Sequence, residues 1–245
     1  MARRVRAVPD RAAWHGPGGR ANRALLRAYR DRHAGSRCFV LGNGPSLART
    51  DLARLAGEVT FGANRIYLAH QPSYFVCVNE LVLEQFRDDI RGLAMPKFLN
   101  WNRRQLFAPP AMFVSLGLGL EDAFGSDPTR TIASGGTVTF VALQLAYFMG
   151  FRDVTLLGVD HQFVDQGTPN RTETRTAAVD ANHFHPAYFP QGSKWQLPDL
   201  RRSELAYTAA RRAFERDGRR IRDATLGGHC PVFEKVALAD VLGGA

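Results

Sequence analysis

Between residues 38 and 158, short apolar runs alternate with stretches of helical period, and no other feature of the chain constrains its fold as much. The runs predict strands at Cys38 to Leu41, Val59 to Phe61, Tyr74 to Val78, Lys97 to Leu99, Met112 to Ser115 and Val154 to Gly158. Helices are expected over Ser46 to Leu55, Glu80 to Arg91, Gly136 to Met149 and Arg201 to Asp217. Such alternation implies βαβ units, and hence an α/β, Rossmann-like fold with a mostly parallel sheet and helices on both faces. Ligands of these sheets bind beyond the carboxyl ends of the strands. Candidate residues are therefore sought there.

The 245 residues suit one such domain, expected over 36–245, preceded by a basic segment and helix over 1–35. Residues 1 to 20 carry five arginines, two prolines and three glycines and read as a loose lead-in. In "RANRALLRAYRDRHAG", Leu25, Leu26 and Tyr29 recur at helical spacing and Gly35 is a suitable C-cap. The arginine pairs Arg201-Arg202, Arg211-Arg212 and Arg219-Arg220 read as a solvated helix face. The stretch from Asp160 to Pro198 has neither helical nor strand period. A structureless loop of that length in a compact domain is usually functional or disordered. Its aromatics (Phe163, Phe184, Tyr188, Phe189, Trp195) predict a lid that packs onto the domain.

The net charge is +9, and 29 of the 32 basic residues are arginine. That balance favours anionic ligands, but no nucleic-acid-binding signature accompanies it, and nucleic acid is not expected as a partner. The three cysteines, Cys38, Cys77 and Cys230, are scattered, which fits a reducing compartment better than a disulfide framework. No apolar run approaches the length of a membrane span. The N-terminal stretch lacks the apolar centre of a signal peptide. A cytoplasmic protein is expected, with peripheral contact at the inner membrane face through its basic surface as an added option, and with homo-oligomeric assembly.

After the first predicted strand comes Gly42-Asn43-Gly44-Pro45-Ser46. The glycines permit a tight turn and close approach to a ligand, and Ser46 can cap the following helix, whose start favours an anion. The pattern is neither a Walker A loop nor a dinucleotide fingerprint, since Leu47 stands where a third glycine would be. Asn64 and Asn79 end the second and third strands, and carboxamides there can read the donors and acceptors of a base or ribose. "TIASGGTVTF" supplies a second loop-to-helix junction, with Ser134 as expected N-cap and Gly135 and Gly136 open to a ligand. "VTLLGVD" delivers Asp160 and His161 to the same rim. In "DANHFHPAYF", Asp180, His183 and His185 lie together. Of these His183 is the expected general base, and a metal site is not expected.

The set "LGNGPSL", a strand-ending asparagine, "ASGG", "LLGVDH" and "NHF", in that order, resembles two related groups over roughly residues 36 to 240. One is the family named for an archaeal 6-hydroxymethylpterin diphosphokinase, whose domain also forms the core of motility-associated flagellin glycosyltransferases. The other is the bacterial sialyltransferase family that includes the Campylobacter lipooligosaccharide enzymes. The resemblance to the second implies a GT-A-variant fold. It also implies that Asn43, Ser46, Asn64, Asn79, Ser134 and Gly135 hold a CMP-sugar and that His183 deprotonates the acceptor. The reaction would be an inverting, metal-independent transfer of an acidic sugar to a hydroxyl of a glycan, protein or small metabolite, with no cofactor. The chain indeed has no Asp-x-Asp. It departs from the pattern after Asp160: where that family has tyrosines for the departing phosphate, it has Gln162 and Phe163. His161, Arg171, Arg175 and Lys194 are the candidate substitutes. Resemblance to the first group implies instead an ATP- and Mg²⁺-dependent diphosphokinase, with Asp160 as metal ligand, Asp165 or Asp180 as helpers, and Trp101, Trp195 or Phe163 stacking on a pterin-like ring.

Overall fold

The computed structural model describes residues 10–117, 123–165 and 167–243. Nine strands form one parallel sheet in the order β11-β10-β7-β1-β2-β3-β4-β5-β6. They are β1 (Arg37–Leu41), β2 (Thr60–Ala63), β3 (Tyr74–Cys77), β4 (Lys97–Asn100), β5 (Met112–Gly117), β6 (Thr131–Ala133), β7 (Asp153–Leu157), β10 (Arg220–Asp223) and β11 (Glu234–Lys235). Helices flank it: α1 (Pro17–Arg27), α2 (Glu80–Gln85), α3 (Arg87–Gly92), α4 (Val138–Phe148), α5 (Leu200–Arg216) and α6 (Leu238–Gly243). The fold is α/β and Rossmann-like, as the alternation predicts.

The central strands β2, β3 and β4 are buried at every position, which is why they read as unbroken apolar runs. Helix α4 is buried almost all round, against β1, β2 and β3 and against α5, which accounts for its uniformly apolar sequence. Its one buried amide, Gln144, ties down edge strand β6: Oε1 accepts from Ala133 N at 3.2 Å and Nε2 donates to Ala133 O at 2.8 Å. From β1 the chain steps outward through β2 to β6, then returns to lay β7, β10 and β11 on the other side. The order therefore reverses between β1 and β7, and the crevice outside their carboxyl ends is where such sheets take ligands.

Several local expectations are corrected. The helix expected over Ser46 to Leu55 is two 3₁₀ turns, Pro45–Arg49 and Leu52–Leu55, because Thr50 and Asp51 are extended and Asp51 caps the second turn. Glu80 to Arg91 is two helices broken at Phe86. The N-terminal helix starts at Pro17 and ends at Arg27, and turns carry the chain to Gly35, while residues 10–15, expected to be loose, are helical. Of the arginine pairs, Arg219 donates to Tyr147 O, Arg211 to Val232 O, and Arg220 lies in β10 bound to Asp153, so they do not form one solvated helix face. The three cysteines are free and buried, and burial pushes all three thiols up. Among the described residues no helix is long and apolar enough to cross a membrane.

Candidate active site

A cleft of about 1070 Å³ opens over the carboxyl ends of the strands on both sides of the switch point, roofed by the segment from Asp160 to Pro198. Its floor begins at the turn after β1. Gly42 N donates to Leu157 O at 2.7 Å and Gly44 N to Gly158 O at 2.9 Å, so this turn is laid against the end of β7. A Cβ on Gly42 would lie 2.3 Å from Gly158 O, and one on Gly44 1.9 Å from Asp160 Oδ2. Both glycines are thus required by contact between two loops. Ser46 caps nothing: its amide donates to Asp160 Oδ1 at 2.9 Å and its hydroxyl to Oδ2 at 2.7 Å. Pro45 opens the 3₁₀ turn behind it. The place that the sequence assigns to a ligand anion holds the chain's own carboxylate.

Along the rim, four adjacent strands end in asparagine: Asn43 after β1, Asn64 after β2, Asn79 after β3 and Asn100 at the end of β4. All four line the cleft. Asn64 takes the left-handed conformation (φ 51) that asparagine tolerates. Asn79 caps α2, its Oδ1 accepting from Leu81 N at 2.9 Å, which leaves the amino group to the cleft. Asn100 was missed in the sequence, although "KFLN" has the same strand-then-asparagine form as its neighbours. Its amide is spent on Val78 O and Asn102 N. Asn43 Oδ1 is buried with no partner among the described residues.

At the second junction, Ser134 is not the cap. Thr137 is, accepting from Thr139 N at 3.3 Å, and α4 starts at Val138. Gly135 and Gly136 are left-handed (φ 56 and 73), so the bend between β6 and α4 needs them. Ser134 and Gly136 line the cleft, whereas Gly135 faces Phe140 and Ala206.

The roof is not structureless. It contains a two-stranded antiparallel hairpin, β8 (Thr172–Thr174) with β9 (Lys194–Gln196). Phe184, Tyr188, Phe189 and Trp195 are buried, as the aromatic content predicts, while Phe163 is only partly buried and lines the cleft. Several contacts fasten its later part to the domain. Phe184 N donates to Asn43 O at 3.0 Å. Gln85 exchanges two hydrogen bonds with the backbone of Lys194. The nearly buried Arg65 donates to Ala187 O and Tyr188 O, with its guanidinium 3.9 Å from the Phe86 ring centre.

The roof carries His183. Its Nδ1 meets Asp180 Oδ2 at 2.9 Å, its ring stacks on Tyr188 at 3.9 Å and 2°, and it lines the cleft. With Nδ1 committed, Nε2 is the nitrogen left for a ligand, and it has no hydrogen bond among the described residues. The Asp180 side chain is fully buried. Burial works to raise its carboxyl, but the hydrogen bond and charge of His183, the Asn182 amide and Arg175 outweigh burial and hold it below the usual range. Arg175 in turn pairs with Asp165 at 2.7 Å. Asn182 locks the same corner, donating to Asp165 and accepting from Val164 N.

His161 forms a second pair that the sequence hides. It follows Asp160 with a left-handed backbone (φ 57), and its Nε2 lies 2.9 Å from Glu204 Oε1 on α5. Its ring sits beside Tyr207, whose hydroxyl burial pushes up to about 12. His185 is elsewhere: its Nδ1 accepts from Ala187 N at 3.1 Å, and it does not line the cleft. Among the described residues no three His, Cys, Asp or Glu side chains cluster as a metal site. The charged cleft-lining residues are Asp10, Glu80, Glu84 and Asp160 against Arg11, Arg103 and Arg202. The basic surface is therefore not concentrated here, and much of the remaining polar lining is amides, hydroxyls and histidines.

Comparison of the chain with protein-family models, with curated proteins and with solved structures returns no match.

Proposed function

We propose that the protein is a glycosyltransferase that moves an acidic sugar from a CMP-sugar to a hydroxyl acceptor, inverting and without a metal, with His183 as general base. The observation that carries the reading is the Asp180–His183 pair on the cleft wall. A buried carboxylate on Nδ1 fixes the tautomer and orientation, so that Nε2 can take a proton from an alcohol as it attacks. The row of carboxamides along the strand ends suits a nucleoside, and the volume of about 1070 Å³ accommodates a nucleotide-sugar with room for an acceptor. The CMP-sugar donor itself comes from the resemblance of the motif set to the sialyltransferase family.

The diphosphokinase reading needs carboxylates to hold Mg²⁺ between the ATP phosphates. The carboxylates that the sequence offers for it are engaged within the protein. Both oxygens of Asp160 are engaged by Ser46, Asp165 is bound to Arg175 and Asn182, and Asp180 to His183. Of the expected stacking surfaces, Trp101 packs against Trp14 and Arg104 and Trp195 is buried beside Arg175, while Phe163 is partly exposed and lines the cleft.

A thermal-shift panel of CMP, CDP, UMP, GDP, ADP and ATP, each with and without Mg²⁺, tests the choice. A ligand at 100 times its Kd adds about 2.7 kcal/mol to stability. Stabilisation by CMP or CDP without metal is expected. A shift with ATP that requires Mg²⁺ would reverse the assignment.

A further inference from the structure

The positive charge of the chain is gathered at one end. Nine arginines and only two acids, Asp10 and Asp31, fall in the first 35 residues, so this seventh of the sequence carries +7 of the net +9. Such asymmetry points to an anionic partner surface. Six of those arginines lie among the described residues: Arg11 before α1, Arg20, Arg23 and Arg27 on it, and Arg30 and Arg32 in the turns that follow. Arg30 is paired with Asp127 at 2.9 Å. The other five meet no carboxylate among the described residues. Arg20 donates to His15 O, Arg23 to Trp14 O, and the Arg32 guanidinium stands 5.1 Å from the Tyr29 ring centre. Those contacts orient the side chains without cancelling their charge. Of the two acids, Asp10 is bound to Arg104 and Asp31 is exposed.

Helix α1 presents this charge in a defined pattern. Its inward face is Gly19, Asn22 and Leu26, all buried. Asn22 clamps it to β5, donating to Phe113 O and accepting from Phe113 N, both at 2.8 Å. Two ridges run side by side on the rest of its surface, each at the i, i+4, i+7 spacing of neighbours along a helix. Arg20, Ala24 and Arg27 form the first, and Ala21, Leu25 and Ala28 the second. All six are exposed, Leu25 at 48%. The helix has no acidic residue to break the basic ridge.

The pairing of the ridges selects the kind of partner. A nucleic-acid backbone would engage the arginines, but it offers nothing to a smooth apolar ridge. An anionic bilayer uses both, because its headgroups attract arginine and its acyl boundary receives the apolar side chains of a helix lying in the plane. Long arginine side chains reach back to the headgroups while the helix axis sits lower.

We propose that the outer face of α1 docks on an anionic phospholipid surface, with Arg20 and Arg27 at the headgroups and Leu25 at the acyl boundary. The segment leading into α1 packs Trp14 on Trp101 after β4, beside the cleft. From there the helix runs back along β5, and Tyr29 beyond it meets Tyr74 and Phe98 at the amino ends of β3 and β4. A bilayer on this face lies alongside the strands, with the cleft opening at its edge. The docking does not depend on the reaction assigned to the cleft.

The test is co-sedimentation of the full chain with vesicles of phosphatidylcholine alone and of an equal mixture of phosphatidylcholine and phosphatidylglycerol. The intact protein is expected on the mixed vesicles, not on the neutral ones, and raised salt should release it. One arginine at an anionic surface is worth about fivefold in partition, so the double variant Arg20→Gln, Arg27→Gln should bind about 25-fold more weakly. Leu25→Gln should give a smaller loss. The control, Arg201→Gln with Arg212→Gln, removes the same charge from exposed side chains of α5 and should bind as the intact protein does. All of these side chains are exposed, and an unchanged Tm shows that each variant is folded. Equal binding to both kinds of vesicle, binding to neither, or the same loss in the α5 variant would overturn the docking face. Tighter binding to a mixed-sequence DNA duplex than to the mixed vesicles would assign the ridge to nucleic acid and overturn the lipid surface.

Discussion

Asp160 accepts two hydrogen bonds from Ser46, 2.9 Å from its amide and 2.7 Å from its hydroxyl, and so joins the loop after β7 to the loop after β1. The two residues are 114 positions apart and span the switch point of the sheet. Asp160→Asn keeps the shape but replaces one acceptor oxygen by a donor that faces the Ser46 hydroxyl. The expected loss is about 1–3 kcal/mol. For a chain of this size that is about 2–4 °C of Tm per kcal/mol, read by thermal melting.

Gly44→Ala addresses the same junction from the other side. Its Cβ would fall 1.9 Å from Asp160 Oδ2, so the loops must separate. The expected effect exceeds that of Asp160→Asn. Gly18→Ala on α1, with nothing within 4 Å, is the control and should hold or raise Tm. Equal melting temperatures for the two variants would show that the close approach of the loops does not matter.

The junction also shows what a sequence can and cannot reveal. The strands β1 to β4 and β7 were legible because each is apolar and buried on both faces. Strand β10, "RIRD", was not, because its arginines pair with Asp153 of β7 and leave no apolar run. The hairpin in the roof is three residues a side and polar, too short to show a period. In the site, Asp180 and His183 were legible because they are three residues apart. Glu204 was not, since 43 residues and a helix separate it from His161. The role of Ser46 was misread for the same reason. A Gly-rich turn shows that something approaches closely, but its sequence is silent on whether that is a ligand or the chain itself.

Arg65 is one fastening of the roof. Arg65→Met keeps some packing against Phe86 but frees the carbonyls of Ala187 and Tyr188. Amide hydrogen exchange should quicken over residues 180–196 while the sheet keeps its protection. Unchanged exchange in that stretch would mean that the buried aromatics alone hold the roof down.

The Asp180–His183 pair has a pH signature in stability. The Asp180 carboxyl is held below its ordinary value in the folded chain, so it stabilises the fold above the unfolded value of about 4. That contribution is lost as pH falls through the lower folded value. Urea unfolding of the natural chain and Asp180→Asn should therefore differ most at neutral pH and converge as the medium is acidified below about pH 4. A gap that stays constant across that range would show that Asp180 is not ionised in the fold.

The most direct test of the whole account is donor turnover by His183→Gln. Release of CMP from CMP-N-acetylneuraminate is followed in the presence of a hydroxyl acceptor, with and without EDTA. The intact protein is expected to release CMP at the same rate under both conditions. His183→Gln should be slower by about 10²–10⁴-fold. Turnover unaltered in His183→Gln, or abolished in the intact protein by EDTA, would contradict a metal-independent transfer with His183 as its base.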